Sequence, residues 1–446
     1  MHARLRSVAL VLALLATALP ALLQASIAPS PAPAFPGAQG WAASTPGGRG
    51  GQVLRVTTLA AEGPGSLTEA LRTPGPRIVV FEVAGVIDLK LQDIRITEPF
   101  LTIAGQTAPS PGITLVRGGL TIATHDVVVR HLRIRPGTGG LRQRAGVDFD
   151  AITTVSGARD VIVDHCSLTW ATDENLSASG TRFVGATPYE WRANVSHRIT
   201  FSNNLLAEGL RHATHAKGEH SKGSLIHDNS TDILIVGNLY AHNYERNVLF
   251  KGGARGQFLN NLIYDPGQRA VHYNLVDEEW AERLDQKQVG ELSLRGNVLR
   301  AGPSTEPLAF FMFGGSGDVR VHLDDNLAVD RIGAPLPQTG RYSTSRAAMI
   351  PMRSAPPLPP GVRLLAAADV QDAVLANAGA RPWDRDDVDR RILANVVEGR
   401  GAIIDHEGEV GGYPVVAEVR APFIEADWDM ATMAPKRPLP RRPPPR

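Results

Sequence analysis

Two cationic side chains lie five residues apart in the stretch HNYERNVLFKGG, which follows a strand-like run. Arg246 and Lys251 stand just before a Gly-Gly turn. Cations at the junction of a strand and a turn can bind an anion, take part in catalysis or point into solvent. Composition does not decide among these, because 46 basic and 45 acidic residues nearly cancel. The same balance gives no indication of nucleic-acid binding.

Carboxylates form a second group that could do chemistry. Asp148 and Asp150 lie two residues apart in VDFDAI, and Asp173 lies in ATDENLS. On a strand, positions two apart point to the same face, so Asp148 and Asp150 would project together. Paired carboxylates on one face are costly without a cation. The pattern therefore favours a cation site over a pair of ordinary turn residues.

Repeats indicate which elements must position these side chains. Short β-branched runs recur from about residue 75, and several share a template of β-branched residues, Asn and two apolar residues. The template asparagines are Asn204, Asn238, Asn261, Asn297 and Asn326, separated by 34, 23, 36 and 29 residues. Repeats of roughly 20–50 residues are typical of a solenoid or a propeller, and propeller signatures are not found. We therefore predict an all-β parallel β-helix whose stacked asparagines hydrogen-bond between coils.

The chain divides into four predicted segments. Residues 1–28 combine a basic start, an apolar run and small residues, as in a secretory signal peptide. Residues 29–330 form the parallel β-helix. Residues 331–420 form a short, partly helical C-terminal capping segment that covers the open end of the solenoid, and residues 421–446 are a Pro/Arg-rich disordered tail.

The predicted leader indicates a secreted or periplasmic protein without a stable membrane anchor. Its apolar run contains Pro20 and is shorter than the roughly 20 residues that a spanning helix needs. A single cysteine, Cys166, excludes an internal disulfide. An exported chain of this length is expected to be stabilised by its core instead, and we expect a monomer.

The order of several motifs resembles that of pectate lyases of polysaccharide lyase family one. The resemblance extends from about residue 35 to about residue 415. It is carried by AFPGAQGWAASTPGGRGG, GPGSLTEAL, TIAGQTAP followed by ITLV, VDFDAI, VIVDHCSLTWATDENLS, GEHSKGSLI, HNYERNVLFKGG and NAGARPWDRDDVD. The family implies a right-handed parallel β-helix that binds calcium. It also implies an acidic polysaccharide partner, pectate (polygalacturonate), which is cleaved by β-elimination.

The resemblance also implies a ligand set for calcium. Asp148, Asp150 and Asp173 match the calcium-binding aspartates of the family, and Glu174 is a further candidate. Thr169 stands where the family usually has another acidic ligand.

The cations match family positions as well. Arg246 aligns with the catalytic arginine, which is assigned as the base. Lys222 matches a substrate-binding lysine, and Lys251 stands where a second arginine binds substrate. Val248 occupies the place of a proline.

Removal of the proton next to a uronate carboxylate needs a base and positive charge near the developing dianion. Arginine normally keeps its proton, so Lys222 or a histidine of LRHATHAKGEH is an alternative base. The histidines His212, His215 and His220 could also form a zinc site, although their spacing suits no common helical motif.

Two other classes of function remain open. A β-helix glycoside hydrolase such as a polygalacturonase needs paired carboxylates around the scissile bond, for which the adjacent Asp324 and Asp325 are candidates. A non-catalytic, polysaccharide-binding solenoid would need neither these carboxylates nor a catalytic arginine.

Overall fold

The chain folds into a parallel β-helix in the computed structural model, which describes residues 32–439. Successive coils contribute strands to three sheets, of 11, 10 and 9 strands. Within these sheets the pairings are parallel, except that Val419–Arg420 pairs antiparallel with Val83–Asp88. The prediction of an all-β parallel β-helix is therefore confirmed. The predicted signal peptide, residues 1–28, lies outside the described residues.

The chain enters the sheets in a fixed order, from the first sheet to the second and then to the third. The first sheet contains, in spatial order, Gln52–Val56, Arg77–Phe81, Leu101–Ala104, His125–Arg130, Arg159–Asp164, His197–Ser202, Thr231–Val236, Arg255–Leu259, Gly290–Arg295, Val319–Asp324 and Met349–Pro351. The second contains Val83–Asp88, Ile113–Val116, Arg133–Arg135, Ser167–Thr169, Leu205–Ala207, Leu239–Ala241, Leu262–Tyr264, Val298–Arg300 and Leu327–Val329, with Val419–Arg420 at one edge. The third contains Ile94–Ile96, Leu120–Ile122, Ile152–Thr154, Glu174–Ala178, Lys222–Ile226, Leu249–Lys251, Val271–Leu275, Phe311–Gly315 and Thr339–Arg341.

Helices are short and lie outside the coils. The α-helices are Leu67–Arg72, Pro188–Asn194, Ala367–Asn377 and Asp387–Glu398, and the 3-10 segments are Gly105–Thr107, Asp277–Gln286, Glu407–Val410 and Glu425–Asp427. A small hairpin pairs Trp428–Asp429 with Ala434–Pro435. Within residues 32–439, no helix combines the length and apolar character needed to span a membrane.

Apolar side chains stack in columns inside the coils. In the first sheet, register places five buried residues in one column: Val163, Phe201, Ile235, Phe258 and Leu294. Neighbouring strands lie about 4.8 Å apart, so each side chain packs directly on the equivalent one of the next coil. This repetition extends one core along the solenoid and fixes the register of the polar residues at its corners.

The template asparagines form the predicted ladder at the corner between the first and second sheets. Each donates its side-chain N–H to the side-chain oxygen of the next, for example from Asn204 to Asn238 at 3.0 Å and from Asn238 to Asn261 at 3.0 Å. The backbone N–H of Cys166 donates to Asn204 at 2.8 Å, so this buried cysteine occupies the ladder position one coil earlier. The ladder satisfies buried polar groups of turns that lack ordinary sheet pairing.

The C-terminal segment differs from the prediction in place and in boundary. Helices Ala367–Asn377 and Asp387–Glu398 pack against the outer face of the second sheet, not over the end of the solenoid. Residues Thr339–Arg341 and Met349–Pro351 still belong to the third and first sheets, so the coils continue past residue 330. The apolar side of each helix packs on the apolar outer face of that sheet.

The predicted disorder of residues 421–446 is wrong for residues 421–439. Phe423, Trp428 and Met433 are buried against Ile78 and Val80 on the first sheet. These apolar residues interrupt the Pro/Arg-rich composition and attach the segment to the first coils. The rest of the predicted tail lies outside the described residues.

Candidate active site

The predicted functional residues meet where the strands of the third sheet begin. Register pairs Glu174 with Lys222, and a further bridge pairs Lys222 with Glu245. The register of the preceding strand pair places Asp150 level with Glu174. Four successive coils thus present carboxylate, carboxylate, ammonium and carboxylate side by side, although the loops between them differ in length.

Three carboxylates form an acidic cluster, defined as Asp150, Asp173 and Glu174. One oxygen from each lies within 4.8 Å of the others, and Asp150 accepts the backbone N–H of Glu174 at 2.8 Å. Burial and the charges of Glu174 and Asp173 raise the pKa of Asp150 well above its usual range. Burial and Asp173 likewise raise the pKa of Glu174 to about 7. The three carboxylates oppose each other's ionisation, and a bound cation would relieve this repulsion. Because all their donor atoms are oxygens, they suit a hard divalent cation such as calcium.

Asp173 is the member of the cluster that keeps its charge most readily. Burial opposes its ionisation, but a hydrogen bond and the charge of His220 lower the pKa of Asp173 to about 2. The distance from Asp173 Oδ1 to His220 Nε2 is 3.0 Å. The side chain of Asp173 is 32% exposed, so its carboxylate is accessible from solvent.

Asp148 is not placed as predicted. Residues 147–150 precede the strand Ile152–Thr154 and are not part of it, so the alternation expected for a strand does not apply to them. The carboxylate of Asp148 lies 3.6 Å from His215 Nε2. His215 lies between Asp148 and Asp173, so Asp148 is at the edge of the acidic cluster, whereas Asp150 belongs to the cluster itself.

The three histidines do not come together: His215 and His220 group with Asp173, with ligand atoms within 4.8 Å of one another, and His212 does not join them. The rings of His215 and His220 stack face to face, with centroids 3.6 Å apart and an interplanar angle of 14°. Both Nε2 atoms lie near the Asp173 carboxylate, at 3.9 Å for His215 and 3.0 Å for His220, so these three side chains are a second possible cation site that shares Asp173 with the acidic cluster. His212 lies elsewhere, with Nδ1 at 3.0 Å from Asp405 Oδ1.

Arg246 forms an ion pair with Glu174, the buried member of the acidic cluster. Its side chain is 23% exposed, so part of the guanidinium reaches solvent beside the cluster. Burial opposes its charge, but Glu174, Glu245 and Asp173 outweigh burial and raise the pKa of Arg246 above its ordinary value. In this arrangement the guanidinium is a fixed positive charge.

Lys222 lies one coil from Glu174, and its ammonium pairs with Glu245. Glu245 also pairs with Arg269. It therefore links Lys222 of the preceding coil to Arg269 of the following coil. Burial lowers the pKa of Lys222 despite the opposing charge of Glu245. Glu245 and Arg269 were not predicted from the sequence. Glu245 precedes Arg246 in the same motif, but its contact with Lys222 becomes visible only once the coil register is known.

Lys251 is the one predicted cation that the structure places elsewhere. It ends the strand Leu249–Lys251, whereas Arg246 precedes that strand. Its Nζ pairs with Glu279 and lies 3.9 Å from Asp228. The candidate site therefore contains Asp150, Asp173, Lys222 and Arg246 together, with Asp148 at its border and Lys251 in a second ionic cluster.

The adjacent aspartates considered for a hydrolase also have other partners. Asp325 accepts the backbone N–H of Ala367 at 2.8 Å, at the start of a helix. Asp324 lies 3.8 Å from Arg295 in the first sheet. Neither carboxylate faces the residues around Arg246 in the described part of the chain.

The acidic cluster predicts a pH dependence of stability when divalent cations are removed. The pKa of Glu174 in the folded protein, about 7, lies above its ordinary value of 4.5. The folded state therefore binds this proton more tightly than the unfolded state. The stabilisation is complete below the unfolded pKa and is lost as the pH rises through the folded pKa. We expect the free energy of unfolding to fall by about 1–3 kcal/mol between about pH 5 and pH 8.

Denaturant unfolding in a chelator at both pH values would measure this change. Glu174→Gln removes one of the two carboxyls with a raised pKa, the other being Asp150, and should reduce the dependence. A dependence that is identical in wild type and Glu174→Gln would contradict the account of the cluster.

No protein-family model matches the sequence. The sequence is, however, similar to curated proteins named probable pectate lyase C. It is 32% identical to the protein of Neosartorya fischeri over 401 residues, which cover 89% of this chain and 84% of the relative. It is also 32% identical to the protein of Aspergillus flavus over 384 residues, or 85% and 81% of the two chains.

The fold is similar to those of solved pectate lyases. A variant of the Bacillus subtilis enzyme superposes with a TM-score of 0.53 at 14% identity and covers 77% of this chain and 96% of that one. A pectate lyase bound to a hexasaccharide has a TM-score of 0.50 at 14% identity and covers 77% and 97%. These likenesses concern the fold.

Proposed function

The chain belongs to the pectate lyase family and is a lyase, and from this premise we propose that it cleaves pectate or a related uronate polymer by calcium-assisted β-elimination. One observation carries the proposal. The acidic cluster and the Arg246 guanidinium are in direct contact through Glu174, although Arg246 lies two coils further along the solenoid than Glu174. β-Elimination on a uronate needs both a cation-holding group and a fixed positive charge near one sugar.

Asp150 and Asp173 are the proposed calcium ligands, with Glu174 as the third and Asp148 at the border of the site. Thr169 is fully buried in the second sheet, so Glu174 supplies the third carboxylate in its place. When bound, calcium would supply positive charge that neutralises the cluster and the uronate carboxylate.

Arg246 is the proposed catalytic residue. Its guanidinium would stabilise the negative charge that develops when the proton next to the carboxylate leaves. Glu174, Glu245 and Asp173 hold its pKa high, so it could accept a proton only after losing part of this carboxylate environment. Lys222 is proposed to bind the substrate carboxylate. Its pKa is lowered by burial, which is the direction that an alternative base requires.

The proposal is tested by incubating the protein with polygalacturonate, with and without a chelator. We expect an unsaturated product, seen as a rise in ultraviolet absorbance, which the chelator suppresses. New reducing ends without this absorbance would indicate a hydrolase instead. Binding without either signal would indicate a non-catalytic solenoid.

The proposal includes export and action as a monomer. The signal-like segment at residues 1–28 supports a secreted or periplasmic protein, where a plant polysaccharide is accessible. The mass of the secreted form, compared with the 47.8 kDa of the full chain, would reveal cleavage of the leader.

A further inference from the structure

The loop that precedes the strand Lys222–Ile226 brings two histidines to the edge of the acidic cluster. Together with Asp173 they form the histidine cluster, defined as His215, His220 and Asp173. One ligand atom of each lies within 4.8 Å of the other two. His220 Nε2 is 3.0 Å from Asp173 Oδ1, and His215 Nε2 is 3.9 Å from Asp173 Oδ2. This group offers two nitrogens and a carboxylate, whereas the acidic cluster offers oxygens alone.

The histidine cluster is closed on its imidazole side and open on its carboxylate side. His215 and His220 are buried, but the side chain of Asp173 is 32% exposed. The side chain of Asp148 is 36% exposed, and its Oδ2 lies 3.6 Å from His215 Nε2, within reach as a fourth ligand. An ion from solvent would therefore pass the two carboxylates and meet the nitrogens behind them.

The backbone orients the two imidazoles differently. His220 Nδ1 lies 2.9 Å from the carbonyl oxygen of Glu219, which can only accept, so Nδ1 holds a proton and Nε2 faces Asp173. Metal-binding histidines are usually oriented by such a bond from the second ring nitrogen. His215 Nδ1 instead accepts the backbone N–H of Lys217 at 3.1 Å. Ligation through His215 Nε2 would replace this hydrogen bond, which lowers the affinity of the cluster below that of a fully preformed site.

The stacked rings must also move apart to share an ion. Their centroids are 3.6 Å apart, with an interplanar angle of 14°. Two imidazoles bound to one ion at about 2.1 Å in adjacent positions have centroids roughly 4.5–5 Å apart. The required change is about 1 Å. Both histidines lie on a loop and not in a strand, so side-chain rotation can supply this change.

We propose that the histidine cluster binds a divalent transition metal such as Zn²⁺ or Co²⁺, at a site distinct from the proposed calcium site but sharing Asp173 with it. Imidazole nitrogens favour such ions, whereas calcium takes oxygen ligands. The acidic cluster and the histidine cluster thus differ in the class of metal that they suit. The transition-metal site would exist whether or not the chain cleaves pectate.

The shared Asp173 carboxylate couples the two sites. An ion in the histidine cluster uses this carboxylate and places two positive charges beside the other calcium ligands. Each ion should therefore weaken the binding of the other, and the factor is the same in both directions. In the proposed lyase reaction, the transition metal would act as an inhibitor that excess calcium relieves.

Titration of the full chain with Co²⁺ tests the site, because the visible absorption of cobalt reports its ligands and calorimetry gives the Kd. His220→Gln removes one ligand, and His212→Gln is the matched control. His212 belongs to the same loop but contacts Asp405. The wild type and His212→Gln should bind one ion with the same spectrum. His220→Gln and His215→Gln should each raise the Kd roughly 100-fold, and thermal unfolding shows whether each variant is folded. Saturating calcium should raise the wild-type Kd for cobalt about tenfold.

The outcomes separate this site from the proposed function. Equal Kd values for cobalt in folded His220→Gln, His215→Gln and His212→Gln proteins would overturn the site, as would loss of binding in His212→Gln. Asp150→Asn should weaken calcium binding and change the Kd for cobalt far less, because Asp150 lies outside the histidine cluster. A protein that binds cobalt as expected without cleaving polygalacturonate would contradict the proposed function alone. Cleavage by a protein that does not bind cobalt would contradict the transition-metal site alone.

Discussion

Replacing Arg246 with lysine is expected to lower kcat on polygalacturonate by roughly 10³-fold, to the limit of detection, while the fold stays intact. Lysine keeps a positive charge opposite Glu174 but lacks the planar fork of the guanidinium. The single ammonium group of lysine cannot pair with Glu174 and also donate to the substrate from the position of the other guanidinium nitrogens. The rate of formation of unsaturated product measures the effect.

Arg255→Lys is the matched control for this substitution. Arg255 begins a strand of the first sheet and is exposed, away from the candidate site. Both variants should have thermal unfolding curves close to that of the wild type. A folded Arg246→Lys protein with the activity of the Arg255→Lys protein would remove Arg246 from the mechanism.

Replacing Asp150 with asparagine is expected to change stability and activity in opposite directions. The Asp150 carboxyl is half-buried beside Glu174 and Asp173, and desolvation together with these two charges raises its pKa, so its ionised form costs folding free energy near neutral pH. Asparagine removes this charge and keeps an oxygen for the Glu174 N–H, which donates at 2.8 Å. In a chelator, the free energy of unfolding should increase by about 1 kcal/mol.

The same substitution removes one proposed oxygen ligand and one negative charge from the calcium site. We expect weaker calcium binding and a fall in activity of roughly 10²-fold, partly restored by excess calcium. Denaturant unfolding in a chelator and calcium-dependent assays measure the two effects. Loss of stability together with unchanged activity would show that Asp150 is a structural residue.

The sequence predicted features that repeat along the chain. The asparagine template led to the ladder because each asparagine bonds to the equivalent residue of the next coil, whatever the loop length between them. The structure also brings Asp150, Asp173, Lys222 and Arg246 together, residues that were assigned to one site through the resemblance to a known family.

Features that depend on coil register or on distant packing could not be predicted in this way. Glu245 and Lys222 are 23 residues apart, and their contact depends on stacking that irregular spacings conceal. Asp148 was grouped with Asp150 by assuming a strand that begins only at Ile152. Lys251 is close to Arg246 in sequence, but an extended strand carries it away from the acidic cluster.

The C-terminal helices illustrate a related limit. They were expected to cover the open end of the solenoid, but their apolar residues, among them Val370, Val374, Ile392 and Val396, pack against the second sheet. The outer face of the second sheet is apolar as well, and this pairing was visible only in the folded chain.

Calorimetric titration with calcium, in the presence and absence of trigalacturonate, tests the central claim most directly. Asp150, Asp173 and Glu174 are held to form one cation site beside Arg246, shared with the substrate. We expect calcium to bind to the wild type, trigalacturonate to tighten this binding, and Asp150→Asn to weaken it in both conditions. Calcium binding that is unaffected by both trigalacturonate and Asp150→Asn would place the ion elsewhere and contradict the account.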